Sequence, residues 1–324
     1  MSASRPFVIR RKWATATDLV GLELVPRDGG ELDAFEPGAH VEFKLKKAGA
    51  PPMLRQYSLC NAPGERDAYV FGIKLEEKSR GGSRLIHDAL GEGDVVDLGV
   101  PRNHFPIAGA AGSHLLLAAG IGVTPLLAMA QKLHAESADY QLHYFVRDTG
   151  HVAFPERLQA AKNAGRLHVH AGLGVEQTRQ HIEQAMASLA PGAHAYACGP
   201  KPFMDAVAAI GARQLDAERL HFEHFQGAVA APLEADTEFE VVLPQRGVSC
   251  VVRANQTIVQ ALEAAGCAIA VSCEQGVCGT CLTGVLEGRP DHRDFFLSDD
   301  ERERGQHIIL CSSRSHSPRL VLDL

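Results

Sequence analysis

Along the 324-residue chain the apolar positions change their period twice. Up to about Pro106 the stretches are short and alternate, as at residues 40–45 and 69–75. Turn signals such as Asp28-Gly29-Gly30 and Pro37-Gly38 separate them, a pattern that predicts an antiparallel β-barrel. From about Ile107 to Gln226 the pattern predicts strands at 115–119, 141–146, 168–171 and 194–197. Helical segments at 124–136, 154–164, 176–190 and 202–213 alternate with them. That alternation implies an α/β domain: a parallel sheet with helices on both faces. Residues 227–236 are small and contain one proline, so they read as a linker. Beyond them a strand at 238–243 precedes two capping boxes, Thr257 with Gln260 and Ser298 with Glu301. The first helix should stop at Gly266, and the chain should end in a strand at 319–324. The expected organisation is therefore multidomain: a barrel over 1–106, the α/β domain over 107–226, the linker, and a small α+β domain over 237–324.

Composition narrows the function without changing that outline. Hydrophobic residues are 45% and charged residues 22%, which suits several ordinary cores. The net charge of -7 argues against a nucleic-acid partner. No apolar run reaches the length of a membrane helix. The longest, 115–123, is interrupted by glycine and reads as a buried strand and turn. Residues 1–13 lack the apolar core of a secretory signal. A cytoplasmic protein with no membrane contact is expected.

The strongest chemical signal is the spacing of four of the eight cysteines. Cys273 and Cys278 are four residues apart, Cys278 and Cys281 two, and Cys311 follows later. This is the plant-type ferredoxin spacing of a [2Fe–2S] cluster. One tight loop delivers three thiolates and a distant strand the fourth, while Gly276, Gly279 and Thr280 let the loop fold closely and offer amides to sulfur. A structural zinc site would more often pair its ligands two and two. Cys60, Cys250 and Cys267 read as small buried residues.

Two glycine turns in the middle region suit a dinucleotide. Ala118-Ala119-Gly120-Ile121-Gly122-Val123-Thr124-Pro125 follows a predicted strand and opens a helix, where backbone amides and the helix terminus favour a pyrophosphate. Cys198-Gly199-Pro200 ends another strand of the same sheet, so both turns should face one crevice. The Cys198 thiol could pack against a nicotinamide ring, although a buried small residue is an equal reading. The strand at 142–146 leads into Arg147-Asp148, where the acidic residue suits a ribose 2′-OH and favours NADH, while Arg147 could instead accept the 2′-phosphate of NADPH. In the first region Arg55 can grip a phosphate. Tyr57 lies on the same strand face as Arg55 and can line a flat ring, and Ser58 can hydrogen-bond a ring nitrogen. Gly81-Gly82-Ser83 precedes a helical segment and makes a second phosphate cradle. Both phosphate elements lie close to the ring site and no aromatic platform for an adenine is evident, so FMN is expected, not FAD.

These motifs together make the chain resemble the phthalate dioxygenase reductase family over essentially its whole length. The residues that carry the resemblance are Arg55-Gln56-Tyr57-Ser58-Leu59-Cys60, Arg80-Gly81-Gly82-Ser83, Gly120 to Pro125, Cys198-Gly199-Pro200, His221-Phe222-Glu223-His224-Phe225 and the four cysteines. The resemblance implies FMN, NADH and one [2Fe–2S] cluster. It implies that Arg55, Gln56, Tyr57, Ser58, Gly72, Ile73, Lys74, Gly81, Gly82, Ser83 and Phe225 surround FMN. It implies that Gly120, Gly122, Thr124, Asp148, Cys198, Gly199 and Pro200 receive the nicotinamide nucleotide, and that Ser58, Cys198 and Phe225 stand at the hydride transfer. Ala119 departs from the glycine frequent in the family, which is harmless if it belongs to the strand.

Such modules make sense as a chain of electron carriers. Hydride would pass from NADH to the flavin and leave as single electrons through the cluster. The sequence holds no Cys-x-His pair for a Rieske cluster and no evident two-His-one-carboxylate set, and its 16 histidines read as scattered surface or core residues. The expected partner is therefore a separate Rieske-type oxygenase. A free-standing diaphorase and a non-enzymatic iron–sulfur sensor are the alternatives.

Overall fold

A computed structural model describes residues 4–46, 49, 52–76, 81–109, 112–225 and 236–324. Arg80 and residues 227–235 of the expected linker lie outside the described residues. The chain divides into two compact units, Ser2–Phe225 and Gln226–Leu324.

The first unit opens with strands β1 (Arg5–Ala16), β2 (Leu19–Pro26), β3 (Ala39–Leu45), β4 (Met53–Ser58) and β5 (Tyr69–Lys74). Helix α1 (Gly82–Asp88), β6 (Val95–Leu98) and β7 (Arg102–Asn103) follow. The sheet runs β4-β3-β6-β1-β2-β5 with antiparallel pairing throughout. A bridge between Leu59 and Phe71 joins the two ends, which closes the sheet into the expected barrel. Alternation fills it: Val41, Phe43 and Leu45 of β3 point into a core with Phe7, Ile9, Leu22, Leu24, Phe71 and Ile73. The long β1 is not evident in the sequence, because Arg10-Arg11-Lys12 interrupts its alternation and the register shifts between Ile9 and Arg11.

The same unit continues with β8 (His114–Ala119), α2 (Val123–Ala135), β9 (Tyr140–Val146), α3 (Pro155–Asn163) and β10 (Leu167–Ala171). It ends with α4 (Val175–Ala187), β11 (His194–Cys198), α5 (Lys201–Gly211) and β12 (Leu220–Glu223). The five strands are all parallel in the order β10-β9-β8-β11-β12. One face packs on α2 and α3 and the other on α4 and α5, so helices cover both faces as expected. Barrel and sheet pack directly. The Phe154 amide donates to Thr15 Oγ1 at 2.7 Å, Thr17 N donates to Gly150 O at 2.9 Å, and Gln131 Nε2 donates to Cys60 O at 2.7 Å.

The second unit contains β13 (Phe239–Leu243), β14 (Val248–Val252), α6 (Ile258–Ala264), β15 (Leu282–Glu287) and β16 (Pro290–Asp291). It closes with α7 (Asp299–Arg304), β17 (His307–Ile309), β18 (Arg314–Ser315) and β19 (Arg319–Asp323). Its mixed sheet runs β14-β13-β19-β15-β17. Both capping boxes form. Thr257 Oγ1 accepts from the Gln260 amide and Gln260 Oε1 from the Thr257 amide, and Ser298 and Glu301 reciprocate in the same way. Asp236 belongs to this unit, with its carboxylate buried and held by Arg293 at 2.6 Å. Among the described residues no helix is long and apolar enough to cross a membrane.

Candidate functional site

The four cysteines gather at one end of the second unit. Cys273 and Cys278 lie in the loop before β15, and Cys281 immediately precedes that strand. Cys311 comes from a turn just after β17, not from a strand as expected, because the β17 ladder ends at Ile309. The thiols touch one another: Cys278 hydrogen-bonds Cys273, and Cys311 hydrogen-bonds both Cys273 and Cys281. Backbone amides point at sulfur, Gln275 N at Cys273 Sγ and Gly276 N at Cys311 Sγ, both 3.3 Å away. Thr280 Oγ1 lies 3.3 Å from Cys278 Sγ. Gly276 and Gly279 have φ of +74° and +70°. A Cβ on Gly276 would lie 2.4 Å from Ser312 Oγ, and one on Gly279 2.3 Å from the Phe296 ring. Both glycines are required by conformation and by space. Four sulfur ligands, two of them accepting from backbone amides, fit a [2Fe–2S] cluster.

In the first unit the phosphate-type residues meet at the start of α1. Gly81 has φ +98°, and a Cβ on Gly82 would come within 2.8 Å of Arg55 Cγ. The arginine stem therefore lies across the backbone that begins the helix. Ser83 Oγ accepts from the Glu76 amide at 3.3 Å. Tyr57, half-buried, sets its ring edge-on to Phe43 at 4.9 Å between centroids, and burial raises its phenol above the ordinary range. Gln56 faces the opposite side of the strand, in register with Glu42. Ile73 is wholly buried in the barrel core, and its carbonyl lies 2.9 Å from His87 Nε2. Lys74 is exposed and pairs with Glu76. Gly72 serves the junction: a Cβ there would reach 2.8 Å from Phe154 and 3.0 Å from Thr124.

Ser58, at the end of β4, meets a residue to which the sequence had assigned no role. Its hydroxyl adjoins the side-chain carboxyl of Glu223, the last residue of β12. That carboxylate is buried, and its Oε2 atom has no hydrogen-bond partner among the described residues. Burial pushes the group up to about 8. The available signal was period two: an acid between His221 and Phe225 on one face of a short strand. Phe225 is half-buried against the cluster shared by barrel and sheet.

The two strand-end turns interlock. Ala119 is extended, with φ −128° and ψ 124°, and belongs to β8, so its departure from glycine is harmless. Gly120 has φ +55° and open space around it. Gly122 has a packing requirement besides the one expected: a Cβ would lie 2.1 Å from Cys198 O, so one turn packs closely on the other. Gly199 packs in the same way on Ala119 and Phe203. Thr124 Oγ1 donates to Ile121 O at 3.0 Å. Cys198 closes β11, before Gly199 and Pro200, and its thiol is fully buried; burial, then Glu223, raises it well above the ordinary thiol range. Asp148 follows β9, where its carboxylate caps the next turn by accepting from Gly150 N at 2.9 Å and contacts His151 Nδ1 at 2.8 Å.

The histidines are not scattered. On the face covered by α4, His143, His168, His170 and His181 stack with centroids 4.5–5.2 Å apart, and His143 Nδ1 lies 3.1 Å from His170 Nε2. On the opposite face His114, His194 and His221 adjoin, with His194 Nδ1 2.8 Å from His221 Nε2. Register alignment of neighbouring strands produces both groups. Among the described residues no three imidazoles are arranged around one metal ion.

A flavoprotein-type barrel packed on a dinucleotide-type sheet, followed by a plant-type cluster domain, defines an iron–sulfur oxidoreductase. Residues 116–209 match the oxidoreductase NAD-binding domain and residues 241–316 the 2Fe-2S iron–sulfur cluster binding domain. The vanillate O-demethylase oxidoreductase of Pseudomonas sp. (strain HR199 / DSM 7063) is 43% identical over 310 residues, 95% of this chain and 96% of that one. A phthalate dioxygenase reductase structure, described as modular for electron transfer from pyridine nucleotides to [2Fe–2S], superposes with TM-score 0.74 at 35% identity. It covers 99% of this chain and 98% of that one. An intact type IV self-sufficient cytochrome P450 monooxygenase superposes with TM-score 0.85 at 33% identity, over 99% of this chain but 41% of the larger protein. The chain belongs to the phthalate dioxygenase reductase family.

Proposed function

We propose that this oxidoreductase is the reductase component of an oxygenase system, taking hydride from NADH and delivering single electrons through FMN and its own [2Fe–2S] cluster to a separate Rieske-type oxygenase. A flavin supplies the exchange between a two-electron donor and a one-electron acceptor. The observation that carries the reading is the gathering of four cysteines in a chain that also pairs Ser58 with Glu223 beneath the ends of a dinucleotide-type sheet. The proposed domains are 1–106 for FMN, 107–226 for NADH, a linker at 227–236, and 237–324 for the cluster.

In this reading Arg55, Gly81, Gly82 and Ser83 hold the FMN phosphate, and the phosphate cradle fits because Gly82 leaves room for the Arg55 stem. Tyr57 lines the ring, β5 borders it at Gly72, Ile73 and Lys74, the Gln56 backbone runs beside it, and Phe225 covers it. Ser58 reaches a ring nitrogen while Glu223 holds its hydroxyl. Gly120, Gly122 and Thr124 shape the pyrophosphate turn, Asp148 takes the ribose, and Cys198, Gly199 and Pro200 border the nicotinamide. Cys273, Cys278, Cys281 and Cys311 are the cluster ligands. The eight thiols, none in a disulfide, suit the reducing cytoplasm.

The test is reconstitution. Purified protein should contain FMN and two irons per chain in this reading, and a Rieske oxygenase should be reduced by NADH only when this chain is added. Full turnover with small quinones and none with an oxygenase would instead establish a diaphorase. The match to a chain fused with a cytochrome P450 favours one second acceptor, a haem monooxygenase, and the same assay run with a P450 distinguishes it.

A further inference from the structure

On β1, far in sequence from the glycines of the proposed phosphate cradle, the Lys12 ammonium is committed to the far end of helix α1. Its Nζ donates to Ile86 O at 2.8 Å, to His87 O at 2.7 Å and to Leu90 O at 2.7 Å. Ile86 and His87 lie in the last turn of α1, where the helix itself supplies no donors, and Leu90 follows two residues past its end. An ammonium has three protons, and here each has one carbonyl to meet. The backbone around Lys12 is held as well, its amide donating to Glu92 Oε1 at 3.0 Å. A second tether runs from His87 Nε2 to Ile73 O on β5 at 2.9 Å.

Helix α1 has seven residues and would not hold its shape alone. Its direction is set by what grips its ends. At about 1.5 Å per residue it is a rod of roughly 10 Å, so a tilt at the carbonyl end turns the amides of Gly82 and Ser83 at the other. The left-handed Gly81 and the Arg55 stem lying on Gly82 leave little slack at that end. A cation at a helix C-terminus also complements the partial charge of the exposed carbonyls.

We propose that Lys12 is a positioning residue for the flavin phosphate: by clamping the C-terminal carbonyls of α1 it aims the amides that begin the helix. The proposal rests on the reading of Arg55, Gly81, Gly82 and Ser83 as the FMN phosphate cradle. It separates Lys12 from a general stabiliser of the barrel, because only the phosphate contact should depend on it.

The experiment uses full-length protein stripped of flavin and titrated with FMN and, separately, with riboflavin, which has the same ring and no phosphate. Lys12→Met should weaken FMN binding about tenfold, the scale of a lost helix-end cation with carbonyls left unsatisfied, and leave riboflavin binding unchanged. Lys12→Arg, which keeps the charge and the donors, should restore most of the FMN affinity. If Lys12→Met does not fold, Lys12→Gln, which keeps two donors, should show the same selective loss at smaller size. Equal losses for FMN and riboflavin, or no loss for either, overturn the proposal. Wild-type protein that binds riboflavin as tightly as FMN would instead overturn the cradle reading, and that result is seen before any variant is made.

Discussion

Ser58 and Glu223, 165 residues apart in sequence, bring a hydroxyl and a carboxyl together where the last residue of a barrel strand meets the last residue of a parallel strand. The relationship ties the proposed flavin side to the proposed nicotinamide side through a buried acid. It also leaves one buried oxygen of that acid without a partner among the described residues.

The buried acid gives a pH dependence with a definite sign. Its carboxyl is raised from 4.5 to about 8 by burial, so the folded protein holds a proton that the unfolded chain releases. The stability this contributes is complete below pH 4.5 and is lost as the pH rises through 8. In urea curves wild type should therefore lose at least about 1.4 kcal/mol more unfolding free energy between pH 5 and pH 8.5 than Glu223→Gln, the free energy of a tenfold change in proton affinity, the histidine contribution being common to both proteins. A slope of the same size in the variant would assign the effect elsewhere.

The stacked histidines act on the other side of neutrality. Burial and then the neighbouring imidazoles lower His143 to about 3 and His170 to about 4. Their neutral forms stabilise the fold fully above about 6.5, and that contribution is lost as the pH falls toward 3–4. The urea midpoint should drop between pH 7 and pH 5, and the drop should shrink in His143→Gln. Identical drops in both proteins would contradict the assignment.

Interlocking of the two turns makes Gly122 and Gly120 behave differently. In Gly122→Ala the new methyl would meet the Cys198 backbone, which cannot move cheaply, so a loss of roughly 1–3 kcal/mol is expected. NADH affinity should fall with it, since both turns shift. Gly120→Ala meets open space and carries only the cost of a left-handed residue, about 1 kcal/mol. Denaturant curves on the two variants, with NADH titrations beside them, decide the order.

These contrasts show which parts of the molecule could be read from sequence. The cluster loop was legible because cysteine spacing and positive-φ glycines are local properties, and Gly276 and Gly279 occupy the conformations expected of them. The α/β order was legible because period changes from strand to helix are local too. Gly122 was recognisable but its packing on Cys198 was not, since Cys198 approaches it from 76 residues away. Glu223 was hidden because an acid in a four-residue strand resembles an exposed edge position. The histidine groups escaped because they arise from register, as where His168 aligns with His143 across two strands. Lys12 reads as part of a surface cationic run, and only the folded barrel brings it beneath α1.

The electron path can be cut at one ligand. Cys281 sits immediately before β15, its thiol buried and in hydrogen-bond contact with Cys311. Cys281→Ser replaces a soft thiolate with a hydroxyl that binds iron poorly. The visible absorbance and iron content of the cluster should fall together, while flavin content stays at wild-type level, because the variant lies in the unit separate from Ser2–Phe225. Ferricyanide, which accepts electrons from a reduced flavin directly, should still be reduced by NADH at close to the wild-type rate. Cytochrome c and the oxygenase should lose at least about 90% of their reduction if the cluster is the obligatory exit, a loss of about 1.4 kcal/mol or more in the overall barrier. Retention of iron would show that serine still ligates, and Cys278→Ser would then be the informative variant. Loss of iron with cytochrome c and oxygenase reduction intact would mean that electrons leave from the flavin, and the proposed path would be wrong at its last step.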